Sequence, residues 1–241
     1  NYKINENNKL YLSGYFGRDS FEFEDGGFGS TYGNASGNLR WNHIFNDRLF
    51  SNLSLIYSKY DYDLELNDDE FNWVSSIKNY NVKYDLKYYA SDKFKFDFGA
   101  SGIYYDFDPG QVKPTSETSP VNPLSLDRKK AFESALYVNA EHKITDKLTA
   151  QYGLRFSGFS RLGGQAMTNY NNNQPVVYNS LLGIYERGTE IGETDYKKDE
   201  TIKTFGNLEP RASLAYQLNE SSSIKAGYSR AAQYIHLLSN T

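Results

Sequence analysis

The sequence predicts an all-β chain: an antiparallel up-and-down meander forming part of a large transmembrane β-barrel. Three observations predict it. First, the stretch Tyr80–Tyr104 alternates with a period of two. Tyr80, Val82, Tyr84, Leu86, Tyr88, Phe94, Phe96, Phe98, Ala100, Gly102 and Tyr104 share one face, while Asn81, Lys83, Asp85, Lys87, Lys95, Asp97, Gly99 and Ser101 share the other. Successive strand side chains point to opposite faces, so this period means two strands. Second, short and long connections sort to opposite sides of the meander. Third, aromatic rings sit at both ends of the apolar face.

Residues 1–8 are polar and carry no start signal, so the chain reads as beginning within a longer protein. Lys9–Gly17 alternates, with Leu10, Leu12 and Phe16 on one face; Arg18–Gly33, rich in Gly, Asp and Glu, reads as a loop. The next strand carries Leu39, Trp41, His43 and Phe45, and the one after it Leu49, Leu53, Leu55 and Tyr57. From about Tyr60 the aromatic positions move to even numbers (Tyr60, Tyr62, then Leu64), which signals a bulge or a change of environment. Asn67–Glu70 reads as a loop tip, and the descending strand enters the Tyr80–Tyr104 hairpin. There Ser91, Asp92 and Lys93 form the loop, with Lys87 across from Asp97, Leu86 from Phe98 and Tyr80 from Tyr104.

Asp108–Arg128 carries Pro109, Pro114, Pro120 and Pro123 and reads as a connection, because such proline density excludes an interior strand. Alternation resumes with Phe132, Leu136, Val138, Ala140 and His142, then with Leu148, Ala150, Tyr152, Leu154 and Phe156. Arg161–Glu200 is the longest connection, and strands over Leu208–Leu218 and Ile224–Arg230 complete about nine, with no helix.

Three of the short connections are alike: Asn46-Asp47-Arg48, Ser91-Asp92-Lys93 and Thr145-Asp146-Lys147. With Asn219–Ser223 they fall on one side, and 18–33, 66–71, 108–128 and 161–200 fall on the other. A soluble sandwich has no reason to sort loops this way, whereas an outer-membrane barrel has short turns on one side and long loops on the other. Trp41, Phe45, Tyr88, Phe94, His142 and Tyr216 lie near the short turns and Tyr80 and Tyr104 towards the long loops, the positions of two interfacial girdles.

Composition narrows the classes further. Among 241 residues, 16% are aromatic despite a mean hydropathy of −0.70, which argues against disorder. No run approaches the ~20 apolar residues of a membrane helix, a fact that leaves strand-spanning proteins untouched. A net charge of −4 with dispersed cations gives no reason to expect nucleic acid, and zero cysteines exclude thiol chemistry and disulfides.

The pieces NKLYLSGYFGRDSF (8–21), LRWNHIFNDRLFSNLSLIYSKYDY (39–62) and NLEPRASLAYQLNESSSIKAGYSRAAQYIHLLSNT (207–241) resemble the middle of the barrel of a TonB-dependent outer-membrane transporter of the Bacteroidetes type. The resemblance implies a barrel of about 22 strands with a plug inside it. It also implies a box that contacts TonB, nutrient import at the bacterial outer membrane, lipid around the wall and a surface lipoprotein as a candidate partner. Residues 1–241 then form one partial barrel domain that lacks the plug and box.

If the apolar face meets lipid, Lys83, Asp85, Lys87, Asp97, Tyr137, Asn139, Gln151 and Lys225 face the lumen and are candidates for plug contact. Tyr105, Arg155, Glu209 and Arg211, with Tyr170, Asn171, Tyr178 and Tyr185 of the longest loop, are candidates for substrate contact by stacking and hydrogen bonding. No catalytic, cofactor or metal site is expected. His43 and His142 read as interfacial rings, His236 is isolated, and the acidic groups at 22–25, 61–65 and 68–70 lack the spacing of a calcium loop.

Three functions remain in play: import of a siderophore, glycan or peptide; a structural barrel subunit of an outer-membrane complex; and a soluble β-sheet binding protein. A TonB box and plug in the full-length chain distinguish the first from the second. The third requires a protein layer over the Phe94–Tyr104 face.

Overall fold

The computed structural model describes residues 1–23, 27–66 and 71–235. One antiparallel sheet runs through β1 (Tyr2–Asn5), β2 (Asn8–Glu22), β3 (Phe28–Asn46), β4 (Leu49–Leu66), β5 (Phe71–Ser91) and β6 (Phe94–Pro114). The two-residue β7 (Leu124–Ser125) pairs with β6 off the main path. The sheet continues through β8 (Lys129–Lys143), β9 (Leu148–Leu162), β14 (Thr201–Asn219) and β15 (Ser222–Ser229). Between β9 and β14 stand two small hairpins, in which β10 (Ala166–Tyr170) pairs with β13 (Glu190–Asp195) and β11 (Val176–Asn179) with β12 (Ile184–Arg187). No pairing among the described residues joins β1 to β15, so the sheet stays open.

The expected register of the central hairpin holds: Lys87 faces Asp97, Leu86 faces Phe98 and Tyr80 faces Tyr104. Its turn is tighter than expected, because Ser91 itself pairs with Phe94. The repeated turn sequence has a physical cause. Asn46 Oδ1 accepts from the amides of Arg48 (2.9 Å) and Leu49 (3.0 Å), and Thr145 Oγ1 accepts from Lys147 (3.3 Å) and Leu148 (3.0 Å). Ser91 Oγ accepts from Lys93 (3.3 Å), and Asn219 Oδ1 from Ser221 (3.0 Å). Each turn opens on a side chain that accepts from the amides the turn leaves free. Asn5 Oδ1 does the same for Asn7 (3.0 Å), and this turn joins β1, a strand not among those expected from the sequence, to β2. Thr145→Ala is expected to cost about 1 kcal/mol, read as a lower urea midpoint for the full-length protein in detergent.

Several connections are shorter than the sequence suggests. Arg18–Glu22 and Phe28–Gly33 are strand, with Arg18 paired to Gly33 and Glu22 to Gly29. Asp108–Pro114 continues β6: Pro109 and Gly110 lie opposite Ser75 alone, at a bulge where proline needs no ladder hydrogen bond. At Tyr60 there is no bulge, since β4 keeps continuous register with β5 from Leu49–Tyr88 to Leu66–Phe71. The loop tip Asn67–Glu70, the acidic residues Glu24 and Asp25, and His236 lie outside the described residues.

The two faces of the sheet differ. On one, an apolar band runs from a row near the short turns (Leu49, Tyr88, Phe96, Ala140) to the row Tyr57–Tyr80–Tyr104–Phe132. That is about nine residues per strand, the length of a tilted membrane crossing. Within it Leu136 is 65% and Val82 50% exposed, and Leu86, Phe96 and Phe98 are half-buried among neighbours in their own sheet. No second layer covers this face among the described residues, because the extensive strand contacts are those between neighbours in the sheet.

Beyond the Tyr57–Phe132 row the pattern inverts without a break in register. The same outer face now carries Lys59, Asp61, Asp63, Glu65, Lys78, Asp106 and Asp108, and the aromatic and apolar residues move to the opposite face. This is the change of environment that begins at Tyr60.

Candidate functional site on the polar face

The polar face is concave: Asn52 of β4, Lys83 of β5, Asp97 of β6, Tyr137 of β8, Arg155 of β9 and Arg211 of β14 line one open concavity of ≈ 490 Å³. Three zones follow one another along it from the short turns towards the long connections.

The first zone is charged. Lys83 pairs with Asp85 at 2.9 Å, Lys87 with Asp97 at 3.4 Å, and Lys95 with Glu141 at 2.9 Å; Gln151 donates to Glu141 at 2.8 Å. The Tyr137 hydroxyl donates to Asp85 two strands away, across β6. It crosses directly over Gly99, where a side chain would meet both that hydroxyl and the Tyr84 carbonyl. The eight residues assigned to this face from the sequence (Lys83, Asp85, Lys87, Asp97, Tyr137, Asn139, Gln151, Lys225) stand on it and in this zone. Arg211 also lies here, level with Gly153, and not beside the long connections.

The second zone joins Tyr105, Arg155 and Glu209 through a residue that the sequence reading did not nominate, Glu133. Arg155 reaches Glu209 at 3.8 Å and Glu133 at 3.9 Å, and the Tyr105 hydroxyl donates to Glu133 at 3.3 Å. Glu209 is only 4% exposed and accepts from the hydroxyl of Ser157, itself 1% exposed. After β15 the chain turns onto this face. The Tyr234 ring stacks on Phe159 at 5.3 Å, and its hydroxyl donates to the Ser157 carbonyl (3.1 Å) and accepts from Asn207 (3.1 Å). Glu133 was legible in principle, since odd numbers on that strand share the polar face with Tyr137 and Asn139. The Tyr234 contact was not, because nothing local marks where the chain turns after Arg230.

The third zone is the far wall of β3–β6. Beyond Asn38, Ile56, Asn81 and Ile103, no residue on this face of the four strands is charged. It carries Tyr32, Tyr60, Tyr62, Trp73 and Phe107 above a belt of Asn34, Ser36, Ser58 and Asn79. Burial, then the neighbouring Tyr62 and Tyr32, push the Tyr60 hydroxyl above its ordinary range, so it stays neutral. Lys129, at the margin on β8, is lowered first by burial and then by Arg161.

The remaining candidates sit apart in the small hairpins. Tyr178 and Tyr185 face each other across β11 and β12 with ring centroids 5.1 Å apart, and Arg187 donates to the Tyr170 hydroxyl at 3.5 Å. Asn171 begins the short 3-10 turn after β10. None of these is hydrogen-bonded or ion-paired to the Arg155 network in the contacts described.

No curated protein sequence matches the chain. Among solved structures it resembles the copper transporter OprC (TM-score 0.64, 11% identity, 93% of this chain and 34% of that one). It also resembles the hemophore receptor HasR of Serratia marcescens in complex with HasA and heme (0.62, 13%, 95% and 34%). A third is BauA, the ferric preacinetobactin receptor of Acinetobacter baumannii (0.60, 11%, 92% and 37%). At these identities the likeness shows the fold alone, and the chain spans about a third of the length of each. The family model for the TonB dependent receptor-like β-barrel matches residues 1–233. The open two-faced meander, its sided turns and this match together place the chain in the TonB-dependent receptor β-barrel family, whose members are outer-membrane transport receptors.

Proposed function

We propose that this chain supplies barrel wall and outer loops to an outer-membrane importer that takes up a scarce, bulky nutrient with energy delivered through TonB. The observation that carries this reading is the single sheet with two unlike faces. An uncovered apolar band about nine residues tall fits hydrocarbon, and the concave face behind it is lined by ion pairs and hydrogen-bonding groups. Burying that charged face under another protein layer would cost several kcal/mol per uncompensated ion, whereas a hydrated lumen leaves it solvated.

In this reading the short turns lie on the periplasmic side. The charged first zone meets the plug of the complete protein, and the long connections and the far wall of β3–β6 form the outer vestibule. Tyr105, Arg155 and Glu209 stand between the two, where a solute entering from the vestibule would pass.

Deleting the gene tests the function. The deletion strain is expected to lose accumulation of one nutrient class among defined iron and glycan sources. The full-length gene restores it, a version lacking the TonB-contacting segment does not, and collapse of the proton gradient abolishes it. Unchanged accumulation of every source in the deletion strain rejects import. A full-length protein that is monomeric and soluble without detergent rejects the membrane reading altogether.

A further inference from the structure

The far wall of β3–β6 has a chemistry of its own, and we infer that it binds a neutral, hydroxyl-rich solute with flat apolar ring faces, that is, a saccharide. The inference rests on the import reading above and names the class of solute for it.

Its first support is the absence of charge. Strands β3–β6 continue well beyond the apolar band, and every ionic residue of that extension points away from the concave face. A metal chelate bearing carboxylates or catecholates would lie against aromatic rings with no cation of these four strands to meet it. The nearest is Lys129 at the margin opposite Phe107, so over most of the wall the cost of desolvating its charge would stand. A sugar has no charge to desolvate, and its C–H faces pack on aromatic rings.

The second support is the pairing of rings with neutral amides. Trp73 lies over Gly110, close enough that a side chain at that position would occupy the space of the indole. On the neighbouring strand Leu64 is directly opposite Trp73, and Tyr62 and Tyr60 follow it on the same face, opposite Ser75 and Ile77. Below the rings, Asn79 donates to Ser58 at 3.3 Å, yet its own carbonyl oxygen has no hydrogen-bond partner, and the same is true of Asn38 and Asn81. These three oxygens are left without a donor inside the sheet, as is that of Asn72 on the opposite face, and a donor reaching them from the concave side would satisfy them. Sugar hydroxyls donate; carboxylates do not.

The third support separates a sugar from a peptide. Extended peptides are captured by adding a strand to a free sheet edge. Along this extension β4 and β5 are paired on both sides throughout, so the centre of the wall offers no backbone edge and only side chains can recognise the solute.

The test uses the full-length protein purified in detergent. Its probes are a panel of neutral hexasaccharides of different linkage, ferric citrate, a ferric catecholate and an uncharged hexapeptide, each titrated by calorimetry. At least one hexasaccharide is expected to bind, with Trp73→Ala weakening it by about tenfold or more, Trp73→Phe retaining most of the affinity, and Asn79→Leu also weakening it. Heat-modifiable gel migration checks that each variant is folded. Three outcomes overturn the inference: no hexasaccharide binds, a hexasaccharide binds with no dependence on Trp73, or an iron chelate or the peptide binds through Trp73. Energy-dependent uptake in cells is read in parallel. Uptake of an iron chelate through this protein would leave the import function standing while the saccharide assignment falls. Hexasaccharide binding through Trp73 without uptake of any solute would do the reverse.

Discussion

Leu136→Arg is expected to destabilise the full-length protein in lipid vesicles by about 2–4 kcal/mol, although Leu136 is among the most exposed side chains of its strand. The reason is its surroundings. Leu136 stands level with Ala100 and Phe156 in the middle of the apolar band, where an arginine must hold its charge in hydrocarbon. On a surface that meets water, the same substitution would change stability by no more than about 0.5 kcal/mol. Ser76→Lys supplies the control. It points to the same side from the extension beyond the aromatic row, between Asp61 and Asp108, and is expected to be near neutral. Folded fractions in vesicles across a urea series measure both, and equal small effects would reject lipid contact at Leu136.

Arg155→Ala carries the second large effect, about 2–4 kcal/mol of lost stability. The guanidinium is shared by Glu209 and Glu133, and Glu209 is almost wholly buried. Removing the cation leaves two carboxylates on either side of β9, from Glu209 level with Arg155 and Glu133 level with Phe159, with one serine and one tyrosine hydroxyl to hold them. Replacing the whole set with Arg155→Met, Glu133→Gln and Glu209→Gln removes the uncompensated charge, and most of the loss should be recovered. A urea midpoint for Arg155→Ala equal to that of the unaltered protein would show that the network is solvated and carries little.

The half of the fold that carries the apolar band was legible because the physics there is simple: alternation at period two, apolar to one side, and a turn opened by Asn, Ser or Thr. The extension was harder to read because the same alternation changes sides at Tyr60 and its strands use residues that usually mark loops. Gly29, Gly33 and Ser30 sit in paired strand, and Pro109 is tolerated only because a bulge stands opposite Ser75. On the polar face, parity along each strand placed Lys83, Asp85, Lys87 and Asp97 correctly, since that depends only on register. Which of those groups meet depends on strand-to-strand neighbours. Arg155 with Glu209 and Glu133 therefore emerged only from the pairing of β8, β9 and β14, and the stacking of Tyr234 on Phe159 only from the path of the chain beyond β15.

The meander also dictates an order of assembly. From β1 to β6 each strand pairs with its immediate successor across a short connection, so those hairpins close locally and can form in sequence. The β9–β14 pairing is different, because the chain between Leu162 and Thr201 must be looped out first. Closing a loop of roughly 40 residues instead of 2 costs on the order of 2–3 kcal/mol more in chain entropy. The two small hairpins within that segment recover part of it by holding the chain compact. The slow step in building this wall should therefore be the docking of β14, and replacing 163–200 with a short turn should accelerate it.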